Sequence, residues 1–104
     1  MSNTKVMYNY IMTTHILHTL SNSTATRLTP NGVHSGMDIT LQNVNDTGYI
    51  YVGGEGVTGS SYGFRLLPNH SFSIELPGVD ALYAISSVDE MNLAVIHTSL
   101  ESQE

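Results

Sequence analysis

Gly36-Met37-Asp38-Ile39-Thr40-Leu41-Gln42 and, further on, Ser71-Phe72-Ser73-Ile74-Glu75-Leu76 decide the fold of this chain. In the first stretch Met37, Ile39 and Leu41 alternate with Asp38, Thr40 and Gln42; in the second Phe72, Ile74 and Leu76 alternate with Ser71, Ser73 and Glu75. A period of two sends one set of side chains to a buried sheet face and the other to water. From residue 36 to 96 such segments return about every 8–12 residues, divided by Gly-, Pro- and Asn-rich turns, which is the spacing of a sandwich or barrel. The fold class expected is all-β: a small antiparallel β-sandwich, Ig-like or jelly-roll-like, of about 7–9 short strands.

Working outward, strands are expected at 37–44, 48–52, 63–67, 71–76, 81–86 and 92–98. Upstream, 14–20 reads as a strand because of its β-branched content and the Ser21-Asn22-Ser23 turn after it. Residues 24–29 form a short strand ended by Pro30-Asn31-Gly32, where Pro fixes φ and Asn-Gly accepts positive φ. Residues 5–12 place Val6, Tyr8, Tyr10 and Met12 on one side and read equally well as an edge strand or as an arm ordered by a partner. The chain then divides into an N-terminal arm or edge strand (1–12), a β-sandwich domain (13–100) and a loose C-terminal tail (101–104). Asn45-Asp46-Thr47-Gly48 reads as a tight hairpin connection with Gly48 free to turn left-handed. The expected core is aliphatic: Leu28, Met37, Ile39, Leu41, Ile50, Val52, Leu66, Phe72, Ile74, Leu76, Leu82, Ala84, Leu93 and Val95. Tyr49, Tyr51 and Tyr83 fall on the opposite pleat, where they cover sheet ends or face a partner.

At 104 residues the chain supports one modest core. Its charged fraction, 12%, is half the usual share, replaced by Ser, Thr, Asn and Gly. Three basic residues (Lys5, Arg27 and Arg65) against nine acidic ones give a formal charge of −6. Binding to nucleic acid or to an anionic membrane needs clustered cations that this composition does not supply. Without cysteine there is no disulfide and no thiolate metal site. Neither a signal peptide nor a membrane-length apolar run is visible, so the expectation is a soluble protein made in the cytosol.

No constellation assembles a chemistry. His15 and His18, three apart on a strand, project from opposite faces, and His34, His70 and His97 are scattered, so no metal site is expected. Asp38 and Glu75 occupy the polar phases of their strands, where solvated charges belong. Gly59-Ser60-Ser61-Tyr62-Gly63 does not match a nucleophile elbow. Gly53-Gly54-Glu55-Gly56 lacks the lysine and following helix of a phosphate loop and reads as a bulge or wide turn. Asn22-Ser23-Thr24, Asn45-Asp46-Thr47 and Asn69-His70-Ser71 fit the glycosylation pattern but are explained as turns. The expectation is a protein with no cofactor and no catalytic residue.

The stretches from Ser35 to Asn43 and from Gly48-Tyr49-Ile50-Tyr51-Val52-Gly53-Gly54-Glu55-Gly56 to Thr58 resemble small tailed-bacteriophage virion proteins. Tyr62-Gly63-Phe64-Arg65-Leu66, Pro68-Asn69-His70, Phe72-Ser73-Ile74-Glu75-Leu76 and Asp80-Ala81-Leu82-Tyr83-Ala84-Ile85-Ser86-Ser87 are similar to the same group. The resemblance covers about residues 24 to 100 and is one of pattern. It implies a minor capsid or head-decoration protein, assembled in the bacterial cytoplasm and located on the capsid surface. Its partner would be the major capsid protein, and it would form a homo-oligomer, with a trimer among the options. The alternative is a tail, neck or fibre component that binds a host-surface glycan through the 53–63 loop and its tyrosines. Candidate partner-binding residues are Val6, Tyr8, Tyr10, Tyr49, Tyr51 and Tyr62; the segments 1–12, 30–36 and 53–62 are candidate contact surfaces.

Overall fold

The computed structural model describes the backbone of residues 8–29, 36–77 and 80–103, and the side chains of 13–29, 36–77 and 80–98. Eight strands follow in order: β1 (Tyr8–Leu20), β2 (Thr26–Arg27), β3 (Met37–Asn43), β4 (Ile50–Gly53), β5 (Phe64–Leu66), β6 (Ser71–Leu76), β7 (Tyr83–Ser86) and β8 (Met91–Gln103). They form two four-stranded sheets, ordered β1-β8-β3-β6 and β2-β7-β4-β5. The antiparallel pairs β1–β8, β2–β7, β3–β6 and β4–β5 nest one inside the next. That nesting is a long two-stranded ribbon folded over on itself, the order of a jelly roll. It selects the jelly-roll alternative over the Ig-like one.

Leu20, Ile39, Leu41, Leu76, Met91, Leu93 and Val95 from the first sheet meet Leu28, Ile50, Val52, Leu66, Leu82 and Ala84 from the second side in one buried cluster. Three expected core members lie outside it: Met37 is buried, 3% exposed, but apart from the cluster, and two others are less covered. Phe72 only packs against the cluster, stacked on Phe64 with ring centroids 4.4 Å apart. Ile74 remains 36% exposed, because β6 is an edge strand and Ile74 has a ladder neighbour, Ile39, on one side only. Leu20, Val57, Ile85 and Met91 are buried as well.

Jelly-roll connectivity changes the meaning of the turns. β3 and β4 belong to different sheets, so Asn45-Asp46-Thr47-Gly48 is a crossing between layers and not the hairpin expected from its sequence. Gly48 does take positive φ, +92°, and Met91 Sδ lies 2.8 Å from where a Cβ would stand, so a side chain there is opposed twice. The hairpin in this region is β4–β5, closed by the wide 54–63 loop. Gly53 and Gly63 sit at its base, with Gly63 N–H donating to Val52 O.

Residues 8–12 and 14–20, read separately in the sequence, are one continuous strand at the edge of the first sheet. Its partner β8 continues to Gln103, with Tyr8 opposite Gln103 and Tyr10 opposite Glu101. Residues 101–103 therefore pair in a ladder and do not form the loose tail expected. The ladder with β3 stops at Met37 opposite Ser99, so beyond it, among the described residues, β1 and β8 pair only with each other. The fold is accordingly long, 58 × 24 × 18 Å, with a radius of gyration of 15.9 Å against about 13 Å for a compact domain of this length. Val6, the Pro30-Asn31-Gly32 turn and His34 lie outside the described residues.

Candidate functional site

The outer face of the second sheet is built by alternation. Ile50 and Val52 turn into the core, which leaves Tyr51 facing out, with Tyr49 on the same pleat. Leu66 is buried, so Arg65 faces out beside Tyr51, its direct partner in the ladder. On β7, inward Ala84 leaves Tyr83 and Ile85 outside; Ile85 pairs with Tyr51, and Tyr83 pairs with Arg27 on β2. The two described arginines thus stand at the two edges of a tyrosine-covered sheet.

Each arginine is held by an aromatic ring. The Arg65 guanidinium lies 5.1 Å from the Tyr49 ring centroid and that of Arg27 lies 5.9 Å from Tyr83, within the range of cation–π attraction. Arg27 also donates from Nε to Thr29 O at 3.0 Å and from Nη1 to the Tyr83 hydroxyl at 3.4 Å. The 54–62 loop folds back over this face, where Tyr62 packs on Tyr51 with centroids 4.8 Å apart and planes tilted 39°. Ile85, although on the outward pleat, is only 6% exposed. Tyr49 and Tyr62 remain exposed. The result is a rigid, amphipathic surface with one cation on each side, suited to a protein contact.

Tyr49, Tyr51 and Tyr62, proposed from the sequence as contact residues, are therefore brought together. Tyr8 and Tyr10 belong by backbone to β1 of the other sheet. Arg27, Arg65, Tyr83 and Ile85 are absent from the sequence-based set. Tyr83 carries a signal, since it shares the outward phase of Tyr49 and Tyr51. The arginines carry none, because their places depend on strand pairing.

The outer face of the first sheet is different in chemistry. Its rows run Thr13–Thr98–Asp38–Glu75, then His15–Ile96–Thr40–Ser73, then Leu17–Ala94–Gln42–Ser71. Thr40 and Ser73 share a hydroxyl hydrogen bond of 2.7 Å, and Leu17 and Ile96 are exposed. His18 points inward from β1, three residues from outward His15, as strand geometry requires. His70 is exposed in the β5–β6 connection, and His97 is buried on β8. Among the described residues no group of three His, Cys, Asp or Glu could hold a metal ion. The Gly53–Gly56 turn closes through Val57 N–H to Gly54 O and leads into a Thr58–Ser61 bridge, not into a helix that could cradle a phosphate.

Burial lowers the pKa of His18 below its ordinary 6.5, because charging the ring means desolvating it. The unfolded chain then binds the proton more readily than the native one. Stability is complete above pH 6.5 and falls as pH drops below it. His18→Gln is expected to flatten this part of the stability–pH curve, measured by urea unfolding between about pH 7.5 and about pH 5. An unchanged slope would assign the acid sensitivity to another group.

No protein-family model and no curated protein matches the chain. In three dimensions it is similar to a chain from Bacillus endospore appendages, described as a novel family of disulfide-linked pili. The TM-score is 0.66 over 100% of this chain and 96% of that one, at 15% sequence identity. That likeness establishes a shared fold. The present chain has no cysteine, so the disulfide linkage described there has no counterpart in these residues.

Proposed function

We propose that this chain is a non-enzymatic structural module that works by packing in many copies within a protein assembly. The observation that carries this reading is the side of β1 that no strand pairs with among the described residues. It is a thirteen-residue edge strand, and between Tyr8 and Leu20 it contains no Asp, Glu, Lys, Arg, Pro or Gly. Edge strands of isolated proteins are usually blunted by charge, proline or brevity, since bare N–H and C=O groups recruit other chains. An edge this long and this unguarded is suited to being covered in an assembly.

In its specific form the reading is a bacteriophage virion protein, a capsid-decoration module on the major capsid protein that reinforces the head. This form rests on the sequence resemblance over about residues 24 to 100. Repetition over a lattice lets each contact be weak while total attachment is strong. A second form, a filament subunit, is favoured by the similarity to the endospore-appendage chain over 100% of the present chain. The glycan-binding alternative draws less support: Tyr51 and Tyr62 are tilted 39°, not coplanar, and Arg65 lies over the Tyr49 ring.

Gold-labelled antibody against the chain, applied to particles and cells from the source culture, tests the proposal. Regular labelling of phage heads supports the decoration form, and labelling along fibres supports the filament form. A protein recovered only as a free monomer, with no particle labelled, would overturn both.

A further inference from the structure

The two outer faces of the sandwich carry opposite chemistry, and the first sets two carboxylates opposite each other with no Lys or Arg beside them among the described residues. Asp38 and Glu75 are direct cross-strand partners on β3 and β6. Like charges placed opposite each other weaken a ladder. No Lys or Arg among the described residues lies on that face; its one titratable base there, His15, stands two strands away from Asp38 on β1. Arg27 and Arg65 sit on the outer face of the other sheet, turned away by the thickness of the sandwich. A single copy therefore cannot use its own described arginines to relieve its acid pair.

A second copy can. We infer that the Tyr49–Tyr51–Tyr62–Arg65 face of one copy docks on the Asp38–Glu75 face of the next. Arg65 supplies the positive charge, while the tyrosines cover exposed Ile96 and the Thr40–Ser73 hydroxyl pair in the row beside the acids. Tyrosine is suited to this because one side chain gives both apolar area and a hydroxyl. The guanidinium, held over the Tyr49 ring, is already oriented before contact, which lowers the entropy of pairing. Because the two surfaces differ, the contact is head-to-tail and generates a ring or an open row of copies instead of a two-fold dimer. The inference rests on the multi-copy reading and specifies one of its contacts; edge pairing through β1 is a separate route to assembly.

A charge swap read by sedimentation velocity tests it. The wild-type chain is expected to form concentration-dependent species larger than a monomer at low salt, shrinking as salt rises through about 0.5 M. Arg65→Glu and Glu75→Lys should each weaken self-association at least about tenfold. Mixing the two variants should restore it, because the unaltered Arg65 face of one variant meets the unaltered acid face of the other, and the carboxylate introduced on β5 meets the ammonium introduced on β6. That rescue also shows both variants folded. A monomeric wild type, or single reversals that associate like wild type, would overturn the face-to-face contact. The multi-copy reading would still stand or fall on particle labelling alone. Chito- and malto-oligosaccharides at millimolar concentration form a second arm. Shifts confined to the Tyr49 and Tyr62 resonances would mark the face as a sugar platform and likewise overturn the inference.

Discussion

Replacing Asn43 by alanine is expected to cost about 3–4 kcal/mol, among the largest effects of any single substitution in this chain. Asn43 is fully buried at the end of β3. Its amide nitrogen donates to Gly48 O at 3.2 Å and to Leu66 O at 3.1 Å. Its side-chain oxygen accepts from Asn45 N at 3.0 Å and from Asn45 Nδ2 at 2.7 Å. Asn45 in turn donates to Asn92 O at 2.7 Å and accepts from Asn92 N at 3.0 Å. Two side-chain amides, Asn43 and Asn45, therefore tie the β3–β4 crossing to the end of β5 and the start of β8, across both sheets.

Alanine at this position leaves the carbonyls of Gly48 and Leu66 without this partner and frees Asn45 to move. Unmet buried polar groups cost more than the hydrogen bonds themselves contribute. For a domain of this size the loss corresponds to a fall in Tm of roughly 15–25 °C. Urea titration should show a lower midpoint with an unchanged slope, since the native surface is not altered. Asn45→Ala, at a half-buried position, should cost only about 1 kcal/mol. A loss below about 1 kcal/mol for Asn43→Ala would mean that water replaces the amide, and that the network does not hold the crossing.

How much of this is legible in the sequence follows from which contacts are local. Alternation is local, so Met37, Ile39, Leu41, Ile50 and Val52 are assigned inward by period alone, and all are buried. Asn43 is legible in principle. It occupies the inward phase of Ile39 and Leu41, and a polar residue in that phase signals a buried hydrogen-bond hub. Ile85 is the converse, an apolar residue on the outward phase that is nonetheless buried, with Tyr51 as its ladder partner. The Asn45–Gly48 turn reads as a hairpin because hairpin chemistry and layer-crossing chemistry use the same residues; only strand order separates them.

The tyrosine–arginine face needs more than period. Tyr49 and Tyr51 can be placed on one side of β4 from the sequence. Putting Arg65 beside them requires the β4–β5 register, and joining Arg27 to Tyr83 requires a contact 56 residues apart. Such pairings are fixed by the nested ribbon as a whole. The long β1–β8 ladder escapes a sequence reading for the same reason: its strands are the first and the last of the fold, and neither carries a local mark of the other.

Leu41→Ala and Ile74→Ala separate period from position. Both residues sit on inward phases of adjacent, paired strands, and the sequence treats them alike. Leu41 is on β3, flanked in the ladder by Phe72 of β6 and Val95 of β8, and it is 0% exposed. Its truncation opens a cavity between layers that cannot collapse without moving both neighbours, a loss of about 3 kcal/mol. Ile74 is on the edge strand, and water already reaches it. Removing its outer carbons forfeits only the covered part of their transfer energy, about 1 kcal/mol or less. The losses read from urea midpoints of the two variants at low protein concentration should therefore differ by roughly a factor of three. Equal losses would show that the edge of β6 is sealed in the isolated chain, and that the exposed flank assigned to Ile74 does not exist.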